Sequence, residues 1–319
     1  MGRLSRDKRD AYYRLAKEEG YRARAAYKLV QLDGTLDLLR EARVVVDLCA
    51  APGGWSQVVT KEASSLVVCV AVDLKEMASL GPKVTMIEGD VTAESTKLAI
   101  FEATGGQMAD LVLCDGAPDV YGLHDMDDYM QTRLAIVAFD LAKVLLRHGG
   151  SFATKIYRGD GGSSSFFKDI LGPNFQKVLC AKPRCSRAAS VEAFAVGIGF
   201  FKEGSKNVNN TDRMIPFVAC GSTSDLDADS SYPLGLFADY VLRDPVQLPI
   251  NPPHLWADQR KRSLLPKEEI LVQPLERRAS RLAVPRDFKP DASVPLQRDN
   301  SGLPAPATDA VSLAAWLTL

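Results

Sequence analysis

Histidine is scarce, with three residues, and the six cysteines are scattered without a CxxC pair. A metal site is therefore not expected, and buried, reduced thiols account for Cys49, Cys69 and Cys114, which sit inside apolar, strand-like runs. No uninterrupted apolar run reaches the ~18 residues that a membrane-spanning helix needs. The first residues are charged and lack an apolar h-region, so no signal peptide is expected and the chain is placed in the cytoplasm. No internal repeat is visible. The GxGxxG fingerprint that cradles a dinucleotide pyrophosphate is also missing, which disfavours an NAD-dependent dehydrogenase. With a formal net charge of −1 there is no overall basic character, so contact with nucleic acid would have to come from local clusters.

What is present is an ordinary globular composition, 46 % hydrophobic and 25 % charged over 319 residues. Short runs rich in Val, Ile, Leu and Cys stand at 43–49, 66–74, 84–88, 109–115, 150–157, 176–181 and 191–201. Longer segments with helical spacing separate them. Near-continuous apolar strands alternating with helices predict an α/β fold: a mostly parallel, seven-stranded sheet covered by helices on both faces. The linker 182–190 is too short for a helical crossover, so the last two strands are expected to pair antiparallel at one edge. The domain is expected to span 1–203, including a basic N-terminal helix. An extension at 204–265, with a Pro-rich linker and scattered aromatics, is a candidate partner-docking segment, and the Pro-, Ser- and Arg-rich tail at 266–319 is expected to be disordered.

The first strand runs into Asp47-Leu48-Cys49-Ala50-Ala51-Pro52-Gly53-Gly54-Trp55-Ser56-Gln57, where an open α/β sheet binds its ligand. Small residues and Gly53 let the backbone approach closely, and without the pyrophosphate fingerprint a cofactor with an amino-acid tail fits better. Asp73 closes the second strand, placed to accept from a ribose diol. Asp90 closes the third, within reach of an adenine amino group, and Asp115 the fourth. Each alone is as well explained as a strand-end turn; three in register behind one Gly-rich loop point to a shared crevice. An acid-lined pocket suits the sulfonium cation of S-adenosylmethionine.

Three further residues are out of place for their surroundings. Lys155 lies within the apolar fifth strand, Glu192 opens the apolar seventh, and Lys28 sits on the N-terminal helix. Singly, each reads as a snorkelling or solvated charge. Together with Asp115 they form a set suited to activating a ribose 2′-hydroxyl, a weak nucleophile that must lose its proton as it attacks a methyl carbon. A lysine can take that proton only where part of it is neutral, a state favoured by desolvation and nearby positive charge. Lys155 is the candidate general base, Asp115 would orient its amine, and Glu192 would hold Lys28 or the incoming ribose.

The DLCAAPGGWSQ loop, the LCDGAPD strand end and the order Lys28, Asp115, Lys155, Glu192 resemble the FtsJ (RrmJ) family of ribose 2′-O-methyltransferases. The segments DKRDAYYRLAKEEGYRARAAYKLVQLD and GLHDMDDYMQ are most similar to its eukaryotic branch that methylates the tRNA anticodon loop. The likeness runs nearly continuously over 5–200 and returns at 215–221, 231–234 and 245–254. It implies a Rossmann-like class I methyltransferase fold, a Lys-Asp-Lys-Glu tetrad at Lys28, Asp115, Lys155 and Glu192, and cofactor contacts at Gly53, Trp55, Asp73, Asp90 and Asp115. It also implies methylation of the wobble nucleotide and one at the start of the anticodon loop. Separate auxiliary proteins, one of WD-repeat and one of helical-repeat type, come with that branch. The chain departs from the pattern at Arg158-Gly159-Asp160-Gly161-Gly162 and Arg147-His148-Gly149-Gly150, neither of which touches the tetrad.

Three rivals fit parts of the same sequence. RNA 5-methylcytosine methyltransferases share the DxCAAPGG loop but resemble one another in a Pro-Cys nucleophile, whereas here Cys114 precedes the acid and should alternate into the sheet packing. A catalytically inactive RNA-binding scaffold would have been free to lose the tetrad and the cofactor acids, which are intact. A ribosomal RNA 2′-O-methyltransferase would use the same local chemistry on a different substrate. RNA contact is expected across the basic N-terminal face, at Arg3, Arg6, Lys8, Arg9, Arg22 and Arg24, and at Lys182, Arg184 and Arg187 between the last two strands. Nine Lys or Arg against four acids in residues 1–30 give that end a local charge of +5.

Overall fold

The computed structural model describes residues 10–118, 124–159, 163–201 and 214–230. Arg3, Arg6, Lys8, Arg9, the turn at 160–162, and nearly all of the extension and tail lie outside the described residues.

Two helices, α1 (Ala11–Glu18) and α2 (Ala26–Leu36), lead into the alternating part of the chain. There follow β1 (Val44–Leu48), α3 (Gly54–Glu62), β2 (Val68–Asp73), β3 (Val84–Glu88), α4 (Glu94–Ala103), β4 (Ala109–Cys114), α5 (His124–Leu145) and β5 (Leu146–Tyr157). A short turn of helix precedes β6 (Phe175–Pro183), β7 (Glu192–Phe200) and β8 (Phe217–Cys220). The strands form one sheet in the order β3-β2-β1-β4-β5-β7-β6-β8. The five from β3 to β5 are parallel, and β7 runs antiparallel to both of its neighbours.

The sheet has eight strands where the sequence predicts seven. The added one, β8, pairs parallel with β6. It has four residues and is exposed at Phe217 and Ala219, so it lacks the unbroken apolar run that reveals the others. It also occupies the edge beside β6, while the antiparallel β7 lies inside the sheet between β5 and β6. The described part of the expected extension is thus built into the main sheet.

Pleating sorts the side chains into two cores. Val45, Leu111, Leu113, Ala153, Phe194 and Val196 pack on one face against Leu29 and Leu32 of α2 and Val58 and Val59 of α3. Val46, Val112, Phe152, Ala195 and Phe175 pack on the other against Ala135, Ala138, Phe139 and Ala142 of α5. With period two, Lys155 falls on the face of Ala153, towards α2. Glu192 falls on the face of Phe194. The pairs Lys155–Phe194 and Tyr157–Glu192 of the β5–β7 register then bring both charges to one end of the sheet.

The second core tolerates little change at Gly197. A Cβ there would stand 2.5–2.7 Å from the ring of Phe175, itself wedged against Phe139 and Phe200 at 5.7 and 5.4 Å between centroids. Gly197→Ala is expected to lower stability by about 2 kcal/mol in urea denaturation. An unchanged midpoint would show that the ring can turn aside freely.

Candidate active site

The strand order reverses between β1 and β4, and ligands of open α/β sheets bind beyond the carboxyl ends of strands at such a point. After β1 the chain turns sharply, with Cys49 in the left-handed region (φ 56°), a cis Ala51–Pro52 peptide and Gly53 at φ 101°. Gly53 caps α3 without any side-chain hydrogen bond, and within the first turn the Ser56 N–H donates to the buried Asp47 carboxylate. Asp73 shapes this turn from the next strand: its Oδ2 accepts from Ala51 N–H at 2.9 Å and its Oδ1 from Lys75 N–H at 2.9 Å. Two of a carboxylate's roughly four acceptor positions are thereby used. Asp90 makes an Asx turn through one oxygen, accepting from Thr92 N–H and Oγ1 at 2.8 and 2.7 Å. Trp55 is buried; its indole N–H donates to the Ala25 carbonyl at 2.8 Å and its ring packs on Phe194 at 5.5 Å. Only its backbone is therefore placed to meet a ligand.

Beneath the loop lies Asp47, 1 % exposed, with Oδ2 accepting from Ser56 Oγ at 2.6 Å. Burial pushes this carboxyl up from 3.8 to about 7. An acid whose folded pKa lies above its unfolded value holds a proton that the unfolded chain releases. Its stabilising effect is therefore present below pH 3.8 and is lost as pH rises to about 7. Asp47→Asn is expected to be more stable than the parent by about 2 kcal/mol at pH 8, with the gap closing by pH 4. Thermal melts at the two pH values would read this, and a gap that does not vary with pH would rule it out.

The four charged residues singled out by sequence meet beside this loop. Lys28 Nζ, from α2, donates to both Asp115 oxygens at 3.1 and 3.2 Å and to Glu192 Oε2 at 2.9 Å. Lys155 Nζ lies 3.3 Å from Asp115 Oδ1 and donates to the Asp115 carbonyl at 2.7 Å. Side-chain exposure is only 16 % for Lys28, 14 % for Asp115, 17 % for Glu192 and 9 % for Lys155. The group sets two lysines against two carboxylates. Burial disfavours charge on Lys28, but the Asp115 and Glu192 carboxylates outweigh it and hold its pKa above the usual lysine value. Burial likewise raises Glu192, yet Lys28, aided by the Ser186 hydroxyl at 2.7 Å, brings its pKa below the ordinary glutamate value.

The Lys155 nitrogen is thus held by two oxygens of one residue, the carbonyl and the carboxylate of Asp115. Comparison with known proteins gives the family. A profile of FtsJ-like methyltransferases matches residues 21–200, more than half of the chain. This chain belongs to the FtsJ-like methyltransferase family. It is 46 % identical over 298 residues to a human tRNA (cytidine(32)/guanosine(34)-2′-O)-methyltransferase, covering 86 % of this chain and 89 % of that one. It is 44 % identical over 197 residues to a ribosomal RNA large subunit methyltransferase E from Methanothrix thermoacetophila, covering 61 % of this chain and 74 % of the other. A crystal structure of a ribosomal RNA methyltransferase from Plasmodium falciparum has the same fold, with a TM-score of 0.51 and 24 % identity over 57 % of this chain and all of that one.

In this methyltransferase the rival nucleophile is out of play, since Cys114 is 1 % exposed and packs in the second core. Several of the basic residues expected to touch RNA have partners inside the protein. Arg24 pairs with Asp10 and donates to the Cys185 carbonyl. Lys182 donates to the carbonyls of Ser190 and Glu192 at 2.6 and 3.1 Å, tying down the turn before β7. Arg187 reaches Asp10 at 3.2 Å with 39 % of its side chain exposed. Arg22 is bound to three carbonyls.

Two positioning residues escape the sequence reading. Gln131, 1 % exposed on α5, donates to the Lys155 carbonyl at 2.9 Å and the Gly116 carbonyl at 3.2 Å. It joins the strand of the candidate base to the loop after Asp115. Its signal was a polar residue in helical phase with Ala135, Ala138 and Ala142. Ser186, which supports Glu192, carried no signal of its own.

Proposed function

We propose that this chain transfers the methyl group of S-adenosylmethionine to ribose 2′-hydroxyls of tRNA, at positions 32 and 34 of the anticodon loop as in the name of its human relative. The chain of contacts Lys155–Asp115–Lys28–Glu192 carries the reaction class. The substrate rests on the tRNA-acting relative aligning over 298 residues, well past the methyltransferase domain, while the rRNA-acting one aligns over 197.

The residues present suit the cofactor. The N–H groups of Gly54 and Trp55 open α3 behind an N-cap with no side-chain acceptor and would face a carboxylate there. Asp73 and Asp90 offer acceptors to ribose hydroxyls and an amino group, and Asp115 stands where a sulfonium would be stabilised. Bound there, the cofactor supplies an electrophilic methyl carbon. Lys155 does the proton work. Its two Asp115 acceptors occupy the N–H bonds of a neutral amine and leave the lone pair for the 2′-hydroxyl proton. When the 2′-oxygen attacks, its proton would pass to Nζ of Lys155. Lys28 and Glu192 fix Asp115 and balance the charge gained by Lys155. Arg184 and Arg187, on the turn before β7, remain candidates for phosphate contact. By family resemblance the enzyme works with separate WD-repeat and helical-repeat proteins.

Labelled methyl transfer to tRNA unmodified at these positions, and in parallel to rRNA, tests the reading. An extract from cells lacking this enzyme would supply any auxiliary protein. Label in alkali-resistant dinucleotides of tRNA is the expected outcome. Label confined to rRNA would move the substrate, and label on a base would end the 2′-hydroxyl assignment.

A further inference from the structure

Arg22 sits between α1 and α2 in the basic N-terminal stretch, where its charge suggests a phosphate contact. Its surroundings point elsewhere. Gln57, from the first turns of α3, accepts from Arg22 N–H at 2.8 Å and donates to the Gly20 carbonyl at 3.0 Å, so the chain is held on both sides of Tyr21. From there the guanidinium spans two loops. Nη1 donates to the Pro52 carbonyl at 3.1 Å and the Ala78 carbonyl at 2.7 Å, and Nη2 to the Ser79 carbonyl at 2.6 Å. Pro52 belongs to the β1–α3 turn, while Ala78 and Ser79 belong to the loop between β2 and β3. That loop lies against the turn: a Cβ on Gly53 would stand 2.8 Å from Leu80 Cδ1 and 3.2 Å from Arg22 Nη1. One permanently charged fork thus joins three stretches of chain around Gly53. Asp73 fixes the same turn from its other side.

We propose that Arg22 is a positioning residue for the cofactor turn. It holds 50–53 and 78–80 in the arrangement that receives S-adenosylmethionine, and it makes that arrangement depend on the segment that also delivers Lys28. The inference rests on the proposed cofactor. A lysine has no fork and could reach one carbonyl at a time, so Arg22→Lys should recover only part of what Arg22→Ala loses.

The test is equilibrium dialysis of labelled S-adenosylmethionine against the full chain with no RNA present. Loss of charge-assisted bonds at Pro52 is expected to raise Kd about tenfold or more in Arg22→Ala, with Arg22→Lys between it and the parent. In turnover, KM for the cofactor should rise while kcat at saturation holds. If Arg22→Ala binds cofactor like the parent and loses only tRNA in filter binding, Arg22 is a phosphate contact and the inference fails. If Arg22→Ala does not fold by circular dichroism, Gln57→Ala, which frees the Arg22 backbone, takes its place. A raised Kd there supports the inference and an unchanged one overturns it. A parent protein that binds no S-adenosylmethionine would remove the proposed cofactor itself, and this inference with it, an outcome distinct from a parent that binds and a variant that binds equally well.

Discussion

Lys155→Met should cut methyl transfer to tRNA by about 10²–10⁴-fold, the range general-base removal typically costs, while the protein still folds and binds cofactor. Methionine keeps an unbranched, largely apolar stem in the strand, so the neighbouring Ala153 and Phe194 lose little. What disappears is the nitrogen proposed to accept the proton. Single-turnover rates with saturating cofactor and tRNA measure this directly. Turnover near the parental rate would mean that another group, or water, takes the proton.

Lys28→Met should do its damage mainly to stability. Lys28 is the cation between two largely buried carboxylates, and removing it leaves Asp115 and Glu192 facing each other with Lys155 alone to offset them. Breaking such a buried arrangement costs about 3 kcal/mol. The pH dependence has a definite sign. Glu192 has a folded pKa depressed below its ordinary 4.5, so its contribution is present above that pH and fades as pH falls. Lys28 has a folded pKa raised above 10.5, so its contribution is present below that value. The deficit of Lys28→Met should therefore be full at pH 7.5 and shrink below about 4.5 as Glu192 protonates. Adding Glu192→Gln should recover part of it at pH 7.5. Urea denaturation at both pH values decides, and a deficit independent of pH would mean that the loss is packing, not charge.

Much of this architecture was legible because the parallel strands are apolar on both faces, and such runs stand out against Gly, Pro and Asp at their ends. Lys155 was visible as a charge inside one of those runs. Lys28 and Glu192 read singly as solvated charges, and only the α2 packing and the β5–β7 register show them beside Asp115. β8 was missed since four residues of alternating exposure have no periodic signature above a loop. Arg22 and Lys182 show a different limit: a cation's sequence context does not say whether its partner is a phosphate or a carbonyl of its own chain. Trp55 follows the turn after β1 as the second residue of α3, but the direction of its ring follows from the packing of α2 against α3, which no local pattern encodes.

The reversed direction of β7 has a consequence for when the enzyme becomes active. Every parallel strand brings its carboxyl end to the crevice, and β7 alone brings an amino end, with Glu192 as its first residue. The Lys28–Glu192 contact spans 164 positions of sequence. Contacts of such range form only after the intervening chain has collapsed. On the ribosome, a nascent chain released through β5 would contain the cofactor turn, Asp115 and both lysines but no second carboxylate. Completion of the proposed acid–base group therefore has to wait for β7.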